Sequence, residues 1–276
     1  MRVLVTGAGG MVGREVVEAL THHEVAALDH AALDVADRDA VLAAVGASAP
    51  QAIVHCAAWT AVDACESDPD RARAVNTIGC RNVMEAARRA GAYVVALSTD
   101  YVFDGTKLHP YVEWDPTNPL SVYGRTKRDG EQEIDPECAV VRTSWVCGRY
   151  GANMLKTVLR LASDETATLR FVDDQRGCPT FAQDLASMLA AFVVERLPGI
   201  WHVTNQGPVT WFEFTQEVLK ATGRDPARVE PITTADMPRP APRPANSVLD
   251  NAALRLSGRD LLPDWRDALE RTLRVL

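Results

Sequence analysis

Continuous apolar runs alternate with helix-like stretches from the first residue to about residue 148, and this constrains the chain more than any other feature. RVLVTGA is followed by MVGREVVEALTHH, EVAALD by DRDAVLAAVGA, and IVHCAA by a long amphipathic segment through NVMEAARRAG. YVVALST then precedes LSVYGRTKRDGEQ, and AVVRTSWVCG closes the series. A sheet with one wet face would alternate apolar and polar residues along each strand. These runs do not alternate, so both faces must be covered by helices. The βαβα rhythm predicts an α/β, doubly wound parallel sheet of Rossmann-like type.

Beyond residue 148 the rhythm loosens. Thr180 with Gln183, and Thr210 with Glu213, read as capping boxes that open helices at FAQDLASMLAAFVVER and WFEFTQEVLKATG. GIWHVTN between them reads as a strand. MPRPAPRPANS (237–247) holds four prolines and cannot be regular helix or central strand. It reads as a fixed loop, with a closing helix in LPDWRDALERTLRVL. The expected organisation is a dinucleotide-binding domain over 1–147 and a smaller α/β substrate lobe over 148–276, with some later segments returning to the first sheet.

Composition excludes several classes. The net charge of −8 speaks against general nucleic-acid binding, which needs a basic footprint. No apolar run approaches the roughly 18 residues that span a bilayer, and the first residues lack a signal peptide's charged start and apolar core. A cytoplasmic location without membrane partners is expected. The six cysteines form no CxxC pair and sit mostly in apolar runs, which predicts buried free thiols rather than disulfides or a zinc site.

Gly7, Gly10 and Gly13 form GxxGxxG directly after the first strand and at the start of the first helix. There, glycines let backbone amides and a helix N-terminus approach a pyrophosphate. Asp29, sixteen residues beyond Gly13, ends the second strand. It either accepts hydrogen bonds from an adenosine ribose, which favours NADH, or only caps its loop. His30 beside it softens the first preference, so NADPH and NADH both stay open.

Tyr123 and Lys127 lie four positions apart in YGRTK, on one face of a predicted helix. Free tyrosine titrates near 10, so a nearby ammonium is needed to stabilise a tyrosinate. Tyr123 can then protonate a carbonyl oxygen as hydride reaches its carbon. Twenty-four residues upstream, STD ends the fourth strand, where α/β sheets place ligands. Thr99 there can share in stabilising the developing oxyanion. Trp145 reads as a wall for a sugar or as core. Arg239 and Arg243 read as diphosphate contacts or solvated surface residues, Trp211 and Phe212 as packing, and His55 as a satisfied core histidine.

With these residues in place, the chain resembles the extended short-chain dehydrogenase/reductase family and, within it, the reductases of dTDP-4-dehydrorhamnose. The stretches carrying the resemblance are GAGGMVGRE, AAWTAVDACESDPDRARAVN, STDYVFDG, PLSVYGRTKRDGE, RTSWVCGRYGANMLKTVLRLA, VDDQRGCPT and RPANSVLD, from residue 7 to residue 250. The resemblance implies that Thr99, Tyr123 and Lys127 are catalytic. It implies that Gly10, Met11 and Val12 line the pyrophosphate and that Asp29, Asp34 and Val35 surround the adenosine. Ala58, Trp59 and Thr60 would flank the cofactor beyond the third strand, with Leu97 nearby, while Asp100, Trp145 and Asn153 would contact the sugar nucleotide. Met11 stands where the family usually has glutamine, and Leu97 where it has tyrosine.

The resemblance further implies NAD(P)H-dependent reduction of the 4-keto group of dTDP-4-dehydro-6-deoxy-L-mannose, by a monomer or homodimer. Some members bind Mg2+ at a dimer interface, but no carboxylate cluster for it is evident here. Related dehydratases carry Thr-Asp-Glu after the fourth strand, and their Glu serves elimination. Tyr101 occupies that position here, which leaves reduction. Two alternatives stand: a 4-ketoreductase acting on another dTDP-deoxysugar, and a non-catalytic regulatory subunit, which would be expected to lose the Tyr/Lys pair.

Overall fold

The computed structural model describes all 276 residues. Six strands form one sheet whose every pairing is parallel. In chain order the first five are β1 (Arg2–Thr6), β2 (Glu24–Leu28), β3 (Ala52–His55), β4 (Tyr93–Thr99) and β5 (Ala139–Thr143). The sixth is Gly199–His202, and it extends the sheet beyond β5, while β2 forms the opposite edge beyond β1. β1, β3, β4 and β5 are buried almost throughout, whereas edge strand β2 is half-exposed. The continuous apolar runs and the weaker EVAALD follow from those positions.

Helices cover both faces. Helix α1 (Met11–Ala19) packs beside the helix Ala182–Glu195, and α2 (Arg38–Ser48) packs beside a helix ending the long amphipathic segment. That segment holds α3 (Val62–Ser67), α4 (Pro69–Arg73) and α5 (Gly79–Ala90), with a π-helical turn at Ala74–Ile78. Helix α6 (Val122–Glu131) carries YGRTK. Strand order reverses at β1, whose neighbours are β2 and β3, and this opens a crevice at the carboxyl ends where ligands settle.

The smaller lobe has its own core, centred on Leu155, Phe181, Phe214, Leu219 and Trp265. Its strands are short pairs: Val146–Cys147 with Thr180–Phe181, Leu169–Val172 with Val229–Ile232, and Arg176–Gly177 with Val209–Thr210. Leu185, Leu189, Phe192 and Val203 belong instead to the core of the first sheet. The chain therefore enters the lobe, returns to the sheet, and leaves again.

The Thr210–Glu213 capping box forms, with Glu213 N donating to Thr210 Oγ1 at 3.2 Å and Thr210 N donating to Glu213 Oε2 at 2.9 Å. The expected box at Thr180 and Gln183 does not. Thr180 is a strand residue whose hydroxyl donates to Cys178 O, and the helix begins at Ala182 behind an extended Phe181. Asn205, distant in sequence, takes the Phe181 amide at 2.8 Å. All six cysteines are free, five of them buried. No helix is long and apolar enough to cross a membrane.

Candidate active site

β1 ends in the glycine turn, and α1 begins there without a side-chain cap and without an acidic residue in its first turn. Its first amides therefore face outward as donors for an anion. The turn is tight enough that a Cβ on Gly13 would come within 2.2 Å of the Gly7 carbonyl oxygen. A cavity of about 550 Å3 runs from this turn across the ends of β2 and β3. Asp29, Asp34 and Val35 line one side of it, and Ala58 and Trp59 the other. Asp29 accepts the Ala32 amide at 3.0 Å, so it caps its loop and still faces the cavity. Arg71 also lines the cavity and lies over the Trp59 ring at 4.6 Å.

A second cavity, of about 450 Å3, shares Gly7, Gly10, Cys56 and Ala58 with the first and reaches the ends of β4 and β5. Met11, Val12, Gly13, Thr60, Leu97, Thr99, Asp100, Tyr123, Lys127 and Trp145 all line it. The set expected from two separate stretches, STD and YGRTK, thus meets in one place, directly against the glycine turn. The combined groove has the glycine cradle and the open helix terminus that a dinucleotide requires.

Helix α6 sets the catalytic geometry. Ser121 caps it, accepting the Gly124 amide at 3.1 Å. A Cβ on Gly124 would fall 2.2 Å from the Tyr101 carbonyl oxygen, so only glycine lets the helix lie this close to the turn after β4. Tyr123, Lys127 and Glu131 then share one face, each a turn apart. Lys127 Nζ donates to the Leu97 carbonyl at 2.7 Å, and Ser98 Oγ donates to Glu131 Oε1 at 2.5 Å. Arg142 of β5 clamps Glu131 from behind through Nε and Nη2 at 2.9 and 2.7 Å, with both side chains buried.

Burial pushes the Tyr123 phenol up, against the opposing influence of the Thr99 hydroxyl. Tyr101 meets the Tyr123 ring edge-on at 5.9 Å between centroids. Thr99 Oγ1 donates to Asp100 Oδ1 at 3.1 Å and accepts the Tyr101 amide at 3.2 Å. Burial raises Asp100 to about 7, partly offset by the nearby Ser247 and Thr99 hydroxyls. Burial, reinforced by the Lys127 charge, holds His55 down to about 3, and the neutral ring bonds Thr6 Oγ1 at 2.8 Å. His55 is a core residue.

The chain belongs to the RmlD substrate-binding-domain family. The family profile described as "RmlD substrate binding domain" matches residues 1–276. A dTDP-4-dehydrorhamnose reductase of Streptomyces griseus is 45% identical, covering 100% of this chain and 94% of that protein. A probable dTDP-4,6-dihydroxy-2-methyloxan-3-one 4-ketoreductase of Streptomyces antibioticus is 46% identical over 98% of this chain and 93% of its own length. A crystal structure of dTDP-4-dehydrorhamnose reductase from Bacillus anthracis in complex with NADP superposes with a TM-score of 0.96 at 36% identity, covering 100% of this chain and 99% of that one.

Within this RmlD-family chain, Asn153 stands apart from the other expected contacts. It is not among the residues lining the catalytic cavity. Its Oδ1 caps the helix Met154–Ala162 through the Lys156 amide, and its Nδ2 donates to the Gly148 carbonyl at 2.8 Å. Arg243 is neither solvated nor free, because its guanidinium donates to Asp63 Oδ1 at 2.5 Å. Trp145 is partly buried against the lobe core. It lines the cavity at φ 47°, in the left-handed region, and stacks on Trp211 with centroids 3.6 Å apart.

Two residues that sequence reasoning passed over also shape the site. Trp211 lines the catalytic cavity and a third cavity beyond it. Asn76, in the π-helical turn, accepts the Trp59 amide at 2.8 Å and donates to the Trp59 carbonyl and to Thr126 Oγ1, each at 3.2 Å. It ties the Trp59 wall of the first cavity to α6. Such π turns recur at functional sites, yet nothing in AVNTI announces one. No group of three or more His, Cys, Asp or Glu side chains is placed to hold a metal ion.

Proposed function

We propose that this protein reduces the C4 ketone of dTDP-4-dehydro-6-deoxy-L-mannose to give dTDP-L-rhamnose, with NADPH or NADH. The observation that carries this reading is the meeting of Thr99, Tyr123 and Lys127 around one cavity that opens onto the glycine turn. The nicotinamide, when bound, supplies the hydride that reaches C4. Tyr123 supplies the proton to the C4 oxygen, and its burial keeps the phenol loaded through neutral pH. The Lys127 ammonium, held by the Leu97 carbonyl, stabilises the tyrosinate that remains. Thr99 faces the oxygen as charge develops on it.

Thr60, Asp100 and Trp145 complete the sugar pocket in this reading. The third cavity, of about 380 Å3, takes the nucleotide end, since Arg170, Arg239 and Gln175 line it together with Phe171, Met154 and Trp211. Asp29 favours NADH, and Arg71 is the one cationic side chain lining the adenosine cavity. The names of the Streptomyces griseus and Bacillus anthracis relatives support the rhamnose product. The Streptomyces antibioticus relative supports a second reading, 4-ketoreduction of another dTDP-deoxysugar, with the same catalytic residues.

Oxidation of NADPH and NADH followed across several dTDP-4-ketosugars tests both readings, with product stereochemistry read by NMR. Turnover of the L-mannose-configured ketone to the rhamnose product is expected. Turnover confined to another ketosugar would select the second reading, and no turnover with any of them would overturn both.

A further inference from the structure

Several polar side chains around the catalytic cavity are satisfied within the protein. Ser98 donates to Glu131, Ser144 Oγ donates to the Cys178 carbonyl at 2.6 Å, and Lys127 donates to the Leu97 carbonyl. Two lining oxygens differ. Thr143 Oγ1 and Asp100 Oδ2 are both buried, and neither has a protein partner, the nearby Ser247 hydroxyl being directed at the Arg176 carbonyl. Their residues are 6% and 2% exposed. A buried polar atom without a partner costs free energy and calls for a specific reason, because native interiors leave few of them.

Their placement supplies the reason. Thr143 ends β5 and is the direct register partner of Thr99 at the end of β4, one strand spacing away. Thr99 in turn engages Asp100 through Oδ1 and leaves Oδ2 over. Thr143 therefore sits beside the catalytic threonine on the side away from the glycine turn's own strand β1, and Asp100 follows that threonine in the chain. Resting on the ketosugar reading above, we infer that Thr143 is a substrate-specificity residue. Its hydroxyl, together with Asp100 Oδ2, binds the sugar hydroxyl on the carbon next to the C4 ketone. A hydroxyl both donates and accepts, as does Thr143 Oγ1, so the sugar hydroxyl can pair with both oxygens whether or not Asp100 carries its proton. The pair thereby selects an α-hydroxy ketone over a ketone flanked by CH2.

Thr143→Val tests this while nearly preserving shape. With cofactor saturating, KM for the ketosugar should rise about tenfold, matching the roughly 1.4 kcal/mol of one lost hydrogen bond. NADH affinity should not change, and Thr143→Ser should restore KM. The thermal midpoint of the ligand-free Val variant should stay level or rise, because the substitution removes a buried hydroxyl that the fold does not satisfy. A merely structural threonine would instead lower it. With an analogue lacking the neighbouring hydroxyl, the Val variant and the parent should turn over alike. An unaltered KM in Thr143→Val, no rescue by serine, or a fallen thermal midpoint would each overturn the inference. Failure of the parent enzyme to reduce any ketosugar would instead sink the functional reading beneath it.

Discussion

The two cavities that share the glycine turn are built by opposite means. The cavity across the ends of β2 and β3 is drawn mostly from short runs of neighbouring residues: the Gly7–Gly10 turn, the loop from Asp29 to Val35, and the few residues after β3. The catalytic cavity is mostly side chains, drawn from the ends of β4 and β5, from α6, and from Trp211 at the head of a lobe helix. A glycine turn tolerates a changed neighbouring side chain but not an added Cβ. A side-chain site tolerates small backbone shifts but not the loss of one polar atom.

Tyr123→Phe presses hardest on that contrast. It should lower turnover by roughly 10²–10⁴ while NADH affinity, measured by fluorescence titration, stays put. A comparable loss of affinity would show that the two cavities are not separable. Next in size is Asp100. Its folded-state value of about 7 lies above the 3.8 of a free carboxyl, so the folded protein holds a proton that the unfolded chain releases. Stability from this group is therefore fully present below about pH 4 and declines until the pH passes about 7. Asp100→Asn should abolish that decline, so its stability relative to the parent should grow by roughly 2–3 kcal/mol between pH 5 and pH 8. Parallel thermal-unfolding curves for the two proteins across that range would break the assignment. Gly13→Ala is the mirror experiment, with a strain of roughly 1–3 kcal/mol from its contact with the Gly7 carbonyl. It should weaken NADH binding about tenfold or more, and an unchanged dissociation constant would mean that the turn is looser than its geometry implies.

The same contrast explains what could be read from residues alone. The sheet, its parallel sense and the glycine turn are local patterns, written in runs of neighbouring residues. YGRTK and STD were legible because helix periodicity and strand ends place side chains predictably. Thr210 and Thr180 look alike in sequence, each followed three residues later by Glu or Gln. Only Thr210 caps a helix, because Asn205, reaching from a distant turn, fixes the Phe181 amide at the other site. Trp211 reads as packing until Trp145 is stacked against it. The unpartnered state of the Thr143 hydroxyl is likewise invisible to any single segment, since it depends on everything around that atom failing to reach it.

The strand Gly199–His202 hydrogen-bonds to β5 from beyond the sheet's sequence-contiguous part, and the helix before it packs on α1. The two cores are thus braided along the polypeptide rather than laid end to end. A chimera that borrowed a relative's sugar preference by exchanging one C-terminal piece would also tear out an outer strand and a covering layer. Such grafts must carry the lobe as several inserts, leaving 182–203 native.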